Sequence, residues 1–123
     1  MKFSPGNPIL IANVKLKTSK TVVAKLAIDT GASLVMLPQW LTYELGIKID
    51  PAKYLQTSTA SSIIKVPQVV IPEIIWLEKS VKRVTAIVKD LPSETGVDGL
   101  LGLSFLKHFR LDIDFRKGIL TLT

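Results

Sequence analysis

Leu26-Ala27-Ile28-Asp29-Thr30-Gly31-Ala32-Ser33 is the stretch that decides how this chain is read, because an apolar run there meets a carboxylate and then a turn. Val22 to Ala24 and Leu26 to Ile28 suit a pleated, mostly buried strand and are too short for a helix. Asp29 therefore stands at a strand end. Thr30 and Gly31 follow, a small hydroxyl donor and a residue without a Cβ, so the chain can bend sharply and turn backbone N–H groups toward the carboxylate. The triplet Asp29-Thr30-Gly31 arises by chance in on the order of a few per cent of chains this long. On these residues alone a plain strand-ending turn stays open.

Outward from that stretch, strands and turns alternate. Pro5-Gly6-Asn7-Pro8 is a breaker cluster, so residues 1–8 are expected to be an N-terminal arm and residues 9–123 one domain. Ile9 to Lys17 reads as a strand, Thr18-Ser19-Lys20 as a turn, and Thr21 to Ile28 as the returning partner that delivers Asp29. Leu34 to Leu37 is a short buried strand. Pro38 suits the first position of a helix running to Leu45, with Leu37, Leu41 and Leu45 on one face, Trp40 beside them and Gly46 as the stop.

Leu55 to Ala60 and Ile63 to Ile71 flank Ser61-Ser62 as a hairpin. Pro67 and Pro72 confine the strand that carries them to an edge or a bulge for part of its length. Ile74 to Leu77 and Val81 to Val88 are expected to pair across Glu78-Lys79-Ser80, and Asp90 to Val97 is the longest loop-like stretch. Ser104 can cap a short helix over Phe105 to Phe109, whose last turn would hold Lys107, His108 and Arg110 as cations favoured there. His108 then reads as a surface partner of that helix end, not as a metal ligand or base. Arg110 to Phe115 and Ile119 to Thr123 form the last two strands around a turn at Arg116-Lys117-Gly118, with Asp112 and Asp114 on the solvent side.

A second stretch, Asp98-Gly99-Leu100-Leu101-Gly102-Leu103-Ser104-Phe105-Leu106, sets two apolar residues and a glycine ahead of a short helix. With the Asp29 stretch before it, in this order and at this separation, the chain resembles the retropepsin-like aspartic proteases. Their active-site loop reads hydrophobic-hydrophobic-Asp-Thr-Gly-Ala-Ser, and their hydrophobic-hydrophobic-Gly strand passes beside it. The resemblance runs from Ile9 to Thr123. A helix closing in Glu44-Leu45-Gly46-Ile47 is more similar to the bacterial and ubiquitin-linked branch than to the minimal viral enzymes.

The resemblance implies an all-β protein: a closed six-stranded-type acid-protease barrel with one or two short helices, a single-lobe monomer that dimerises. It implies an aspartic endopeptidase in which Asp29, Thr30 and Gly31 are catalytic. Ala27, Ala32, Ser61, Ser62, Ile63 and Ile64 would meet substrate, and Leu100, Leu101 and Gly102 would support the site. The hairpin at Ser61-Ser62 would be the flap over the peptide, yet its tip contains no glycine. A peptide-binding module with weak or no turnover is therefore the alternative.

Hydrolysis of this class uses two carboxyls sharing one proton. Asp50, Asp90, Asp98, Asp112 and Asp114 lack the Thr-Gly context. The resemblance thus implies that the second acid is Asp29 of another copy, in a two-fold homodimer where Thr30 bonds across the axis. Ala32 replaces the serine hydroxyl of many two-lobed relatives, which predicts a mildly acidic optimum.

Composition narrows the other classes. The absence of cysteine removes thiol nucleophiles, disulfides and thiolate metal sites, and no metal or other cofactor is expected. An apolar fraction of 47% argues against disorder, while no apolar run reaches the length of a membrane span. Met1 to Pro5 lacks the apolar core of a signal peptide, so a cytoplasmic location is expected. The net charge of +6 raises the question of nucleic acid. Lys15, Lys17 and Lys25 alternate as on a solvated sheet face, Lys79, Lys82 and Arg83 flank a turn, and no basic block is interleaved with aromatics. The expected partners are a second copy and a peptide or protein substrate, with neither nucleic acid nor membrane. A basic nucleic-acid-associated domain, the third reading, would show steeply salt-dependent binding.

Overall fold

Alternation along the first hairpin sets the barrel. In β1 (Ile11–Lys17) Ala12, Val14 and Leu16 are fully buried while Lys15 between them is exposed, and β2 (Thr21–Ile28) answers with buried Ala24 and Leu26. The computed structural model describes residues 1–58 and 61–123. After β2 come β3 (Val35–Leu37), α1 (Gln39–Glu44), β4 (Tyr54–Ser58), β5 (Ile63–Trp76) and β6 (Lys79–Val88). A 3-10 turn at Ser93–Thr95 leads to β7 (Gly99–Leu101), α2 (Leu103–Leu106), β8 (Leu111–Asp114) and β9 (Ile119–Leu122).

The strands β1, β2, β7, β3, β6 and β5 form a ring that closes where Lys15, Leu16 and Lys17 pair with Ile75, Ile74 and Glu73. This is the closed six-stranded barrel that the resemblance implies, with two short α-helices. Closure leaves the ring no free edge. β4 hangs outside it on β5, and β8 and β9 form a separate two-stranded sheet. Two pairings are parallel, β2 with β7 and β3 with β6, so β7 slots in from far along the sequence. Leu26, Leu37, Leu41, Ile71, Ile74, Leu101 and Phe105 are wholly buried, and Trp76 nearly so. Burying each side chain of this kind contributes about 1.5–3 kcal/mol.

Several local expectations change. Ile63 to Ile71 and Ile74 to Trp76 are parts of one 14-residue strand, and Leu77 lies just beyond its end. Its register with β6 runs through, but the rungs stop where Pro72 faces Arg83. Proline has no N–H to give there, and Arg83 takes φ +57°, so one rung is missing inside the barrel wall with no extra residue on either strand, and Pro72 lies neither at an edge nor in a bulge. The following turn is also tighter than Glu78-Lys79-Ser80. Trp76 pairs with Lys79, and Leu77 and Glu78 alone make the reversal with φ of 49° and 65°. That is a two-residue hairpin of the kind usually carried by Asn-Gly, so its chemistry was not visible in the residues.

α1 begins after Pro38, with the Asp90 carboxylate accepting the Gln39 N–H at 2.9 Å, and ends before Gly46 at φ +71°. Trp40 is 53% exposed and does not join the Leu41 and Leu45 face. α2 starts two residues earlier than expected and ends at Leu106, so Lys107 is its cap and His108 and Arg110 lie beyond it. Ser104 does not cap α2. Its hydroxyl accepts the Val35 N–H at 2.8 Å and donates to the Thr85 carbonyl at 2.7 Å, tying β3 to β6 beneath the site. The N-terminal arm is docked: Phe3 N–H bonds Gly118 O at 2.8 Å and Leu120 N–H bonds Met1 O at 2.8 Å. The expected strand end at Ala60 lies outside the described residues. Among the described residues no helix is long and apolar enough to cross a membrane.

Candidate active site

Asp29 follows the last residue of β2 and is held from both sides of the chain. Ala27 pairs with Leu100 and Ile28 with Leu101, and the Asp29 N–H donates to the Leu101 carbonyl at 3.2 Å. The Ala32 N–H turns back to the Asp29 carbonyl at 3.3 Å, and the Leu103 N–H bonds the Ala32 carbonyl at 2.8 Å. The two stretches read as motifs in the sequence are thus stitched into one unit by backbone bonds.

Among the described residues one donor orients the carboxylate. Gly31 N–H reaches Asp29 Oδ1 at 2.9 Å. Gly31 does not use a left-handed φ, contrary to the usual reason for a turn glycine. What it supplies is room, since a Cβ there would stand 3.2 Å from Asp29 Oδ1. Gly102 is buried for a stronger version of the same reason: a Cβ would lie 2.4 Å from Leu34 O and 2.7 Å from Ala32 O. Asp98 braces the start of β7, its carboxylate accepting the Lys25 N–H at 2.9 Å while its own N–H bonds Lys25 O at 2.7 Å.

Two open recesses flank this loop. One, of about 380 Å³, lies between Gly31 to Leu34 and the β4 residues Leu55, Gln56 and Thr57, with Met36, Ile87 and Leu100 also lining it. The other, of about 450 Å³, holds Asp29 and Thr30 with Ala27, and runs past Val97 to Ile113 and Phe115. Ala32 and Ala27 therefore each border a recess, one on either side of Asp29. Ser61, Ser62, Ile63 and Ile64 border neither, and Ile63 is 69% exposed.

Sequence reasoning passed over Leu55, Gln56 and Thr57, although their place on the strand leading into the Ser61-Ser62 hairpin was the available signal. It also left out Gly99, whose closeness to Met36 no local pattern reveals. Among the described residues no group of three or more His, Asp or Glu side chains is placed to hold a metal ion.

A family model described as "gag-polyprotein putative aspartyl protease" matches residues 14–108, which include both the Asp29 loop and the Asp98 to Leu106 stretch. Among solved structures, a retropepsin-like aspartic protease from Rickettsia conorii is similar, at 27% identity over 93% of this chain and 81% of that chain, with a TM-score of 0.67. No curated protein sequence matches significantly.

Proposed function

The chain belongs to the retropepsin-like aspartyl protease family, and from that premise we propose that it is an endopeptidase whose working site joins Asp29 to Asp29 of a second copy. The observation that carries the proposal is the state of the carboxylate. Its Oδ1 is fixed by Gly31 N–H, Oδ2 accepts no hydrogen bond from the described residues, and the group borders an open recess. One such acid has no chemistry of its own toward an amide. Two, brought together by a rotation axis, cannot both ionise at close range and so share a proton.

In that pair the ionised carboxyl takes a proton from a water lying between them as the water oxygen attacks the peptide carbonyl carbon. The protonated carboxyl gives its proton to the carbonyl oxygen. The tetrahedral intermediate then collapses: one of its hydroxyls returns a proton to the ionised carboxyl as the carbonyl re-forms, the C–N bond breaks, and the departing nitrogen takes the proton of the other carboxyl, which leaves the dyad sharing one proton again. Thr30, exposed beside Asp29, would bond across the axis and hold the two loops together. An extended peptide would lie as an added strand between β4 and the loop. The walls formed by Leu34, Met36, Leu55, Ile87 and Leu100 suit an apolar side chain.

The test is Asp29→Asn assayed on a peptide library beside the unaltered protein, with sedimentation of both. Cleavage by a dimer, lost in the Asn variant while the dimer persists, supports the proposal. Undiminished cleavage by Asp29→Asn ends it. Binding of peptides by the unaltered protein with no cleavage favours the peptide-binding module suggested by the glycine-free hairpin tip.

A further inference from the structure

We infer that the outer edge of β8 is the surface on which the second copy seats, its own β8 pairing antiparallel with this one across the two-fold axis. The inference rests on the protease reading above and assigns the surface that brings in the second acid.

The direction of the hydrogen bonds in the small sheet shows which side of each strand is occupied. Arg110 and Thr123 exchange both backbone bonds, at 2.8 and 3.0 Å, and along an antiparallel pair bonded and non-bonded rungs alternate. Asp112 and Asp114 therefore turn their N–H and C=O groups to β9, while those of Leu111 and Ile113 turn to the other side. The outer side of β9 is already taken, since Phe3 N–H donates to Gly118 O and Leu120 N–H to Met1 O. Among the described residues no strand pairs with the outer side of β8 and no bond reaches the outward groups of Leu111 and Ile113. An open edge of this kind is a template for a further strand.

Two observations commit that strand to a second copy. Ile113 and Phe115 line the recess that holds Asp29 and Thr30, so the open-edged strand borders the same recess as the carboxylate that needs a second acid. Phe115, 62% exposed, and Ile9 add bare apolar surface there. The charges along the strand are also self-complementary. A two-fold pairing through the outward groups sets Leu111 or Ile113 opposite Leu111 or Ile113. Ile113 opposite Ile113 places Asp112 against Asp114, and Leu111 opposite Ile113 places Asp112 against Asp112, like charges in both cases. Leu111 opposite Leu111 sets Arg110 of each copy against Asp112 of the other. The exposed Arg110 to Asp112 pair within one chain, at 3.0 Å, then becomes half of a four-charge alternation. On the axis itself the Leu111 N–H and C=O groups of the two copies exchange bonds.

The test uses two single variants of the whole chain, Arg110→Glu and Asp112→Lys, sedimented and assayed alone and as an equimolar mixture. Alone, each opposes like charges twice across the axis, and its dimer dissociation constant should rise about tenfold or more. Mixed, a heterodimer opposes unlike charges twice, although the pair within each chain stays like-charged, so the mixture should regain dimer and cleavage together. Loss and recovery support the surface. Dimers as tight as the unaltered protein's in either variant, or a mixture no tighter than its components, overturn it, and persisting cleavage then leaves the protease reading intact. Weaker peptide binding with an unchanged dimer gives the edge to a peptide and overturns it too. Dimers that follow the charge pattern without cleaving any peptide keep the surface and end the protease reading, and an unaltered protein that stays monomeric ends both.

Discussion

Gly99 lies against Met36 so closely that a Cβ on it would stand 1.9 Å from the Met36 carbonyl oxygen. That contact is where β7 enters the barrel, paired in parallel with β2 on one side and through Leu100 with Met36 of β3 on the other. Asp29 is bonded to the far end of the same strand. The position of the carboxylate thus depends on an absent methyl group three residues away from the nearest motif glycine.

Gly99→Ala is expected to destabilise the protein by about 3 kcal/mol or more, the upper range of overpacking costs, because backbone and not a flexible side chain occupies the space. The urea midpoint of the purified variant reads it. An unchanged midpoint would mean that β2 and β3 can part without cost.

Gly31→Ala acts differently. Its Cβ would press only on Asp29 Oδ1 at 3.2 Å, in an exposed loop, so the thermal midpoint should move by no more than a few degrees. Turnover should nonetheless fall by about tenfold or more, because a carboxylate displaced by a few tenths of an ångström leaves its reactive geometry. A kinetic comparison in which KM rises while kcat holds would contradict this.

If each site takes one acid from each copy, an inactive subunit poisons its partner. Equal amounts of unaltered and Asp29→Asn chains, unfolded together and refolded, should retain about a quarter of the activity, the share of dimers with two aspartates. Retention of half would mean that each chain acts independently of its partner, and retention of three quarters that one acid per shared site suffices. Activity per chain should also fall on dilution through the dimer dissociation constant.

Much of this protein was legible in one dimension. Alternation in β1 and β2, the Asp-Thr-Gly turn at residues 29–31 and the glycine stop at Gly46 are local effects, since pleat, turn chemistry and φ preference act between near neighbours in the chain. Those same residues indicated the family. What only the tertiary structure decided is set by contacts between distant segments. Ser104 was read as a helix cap, yet its hydroxyl bridges Val35 and Thr85 because α2 packs beneath β3 and β6. Trp40 was read as a core neighbour and is exposed beside Asp90 and Asp98, which the chain carries 50 and more residues later. Gly31 and Gly99 were needed for the space they leave to another segment and not for their own torsions. Hydrophobic period and turn type are properties of a short stretch. Which backbone passes within van der Waals range of which glycine is a property of the closed barrel, and no stretch contains it.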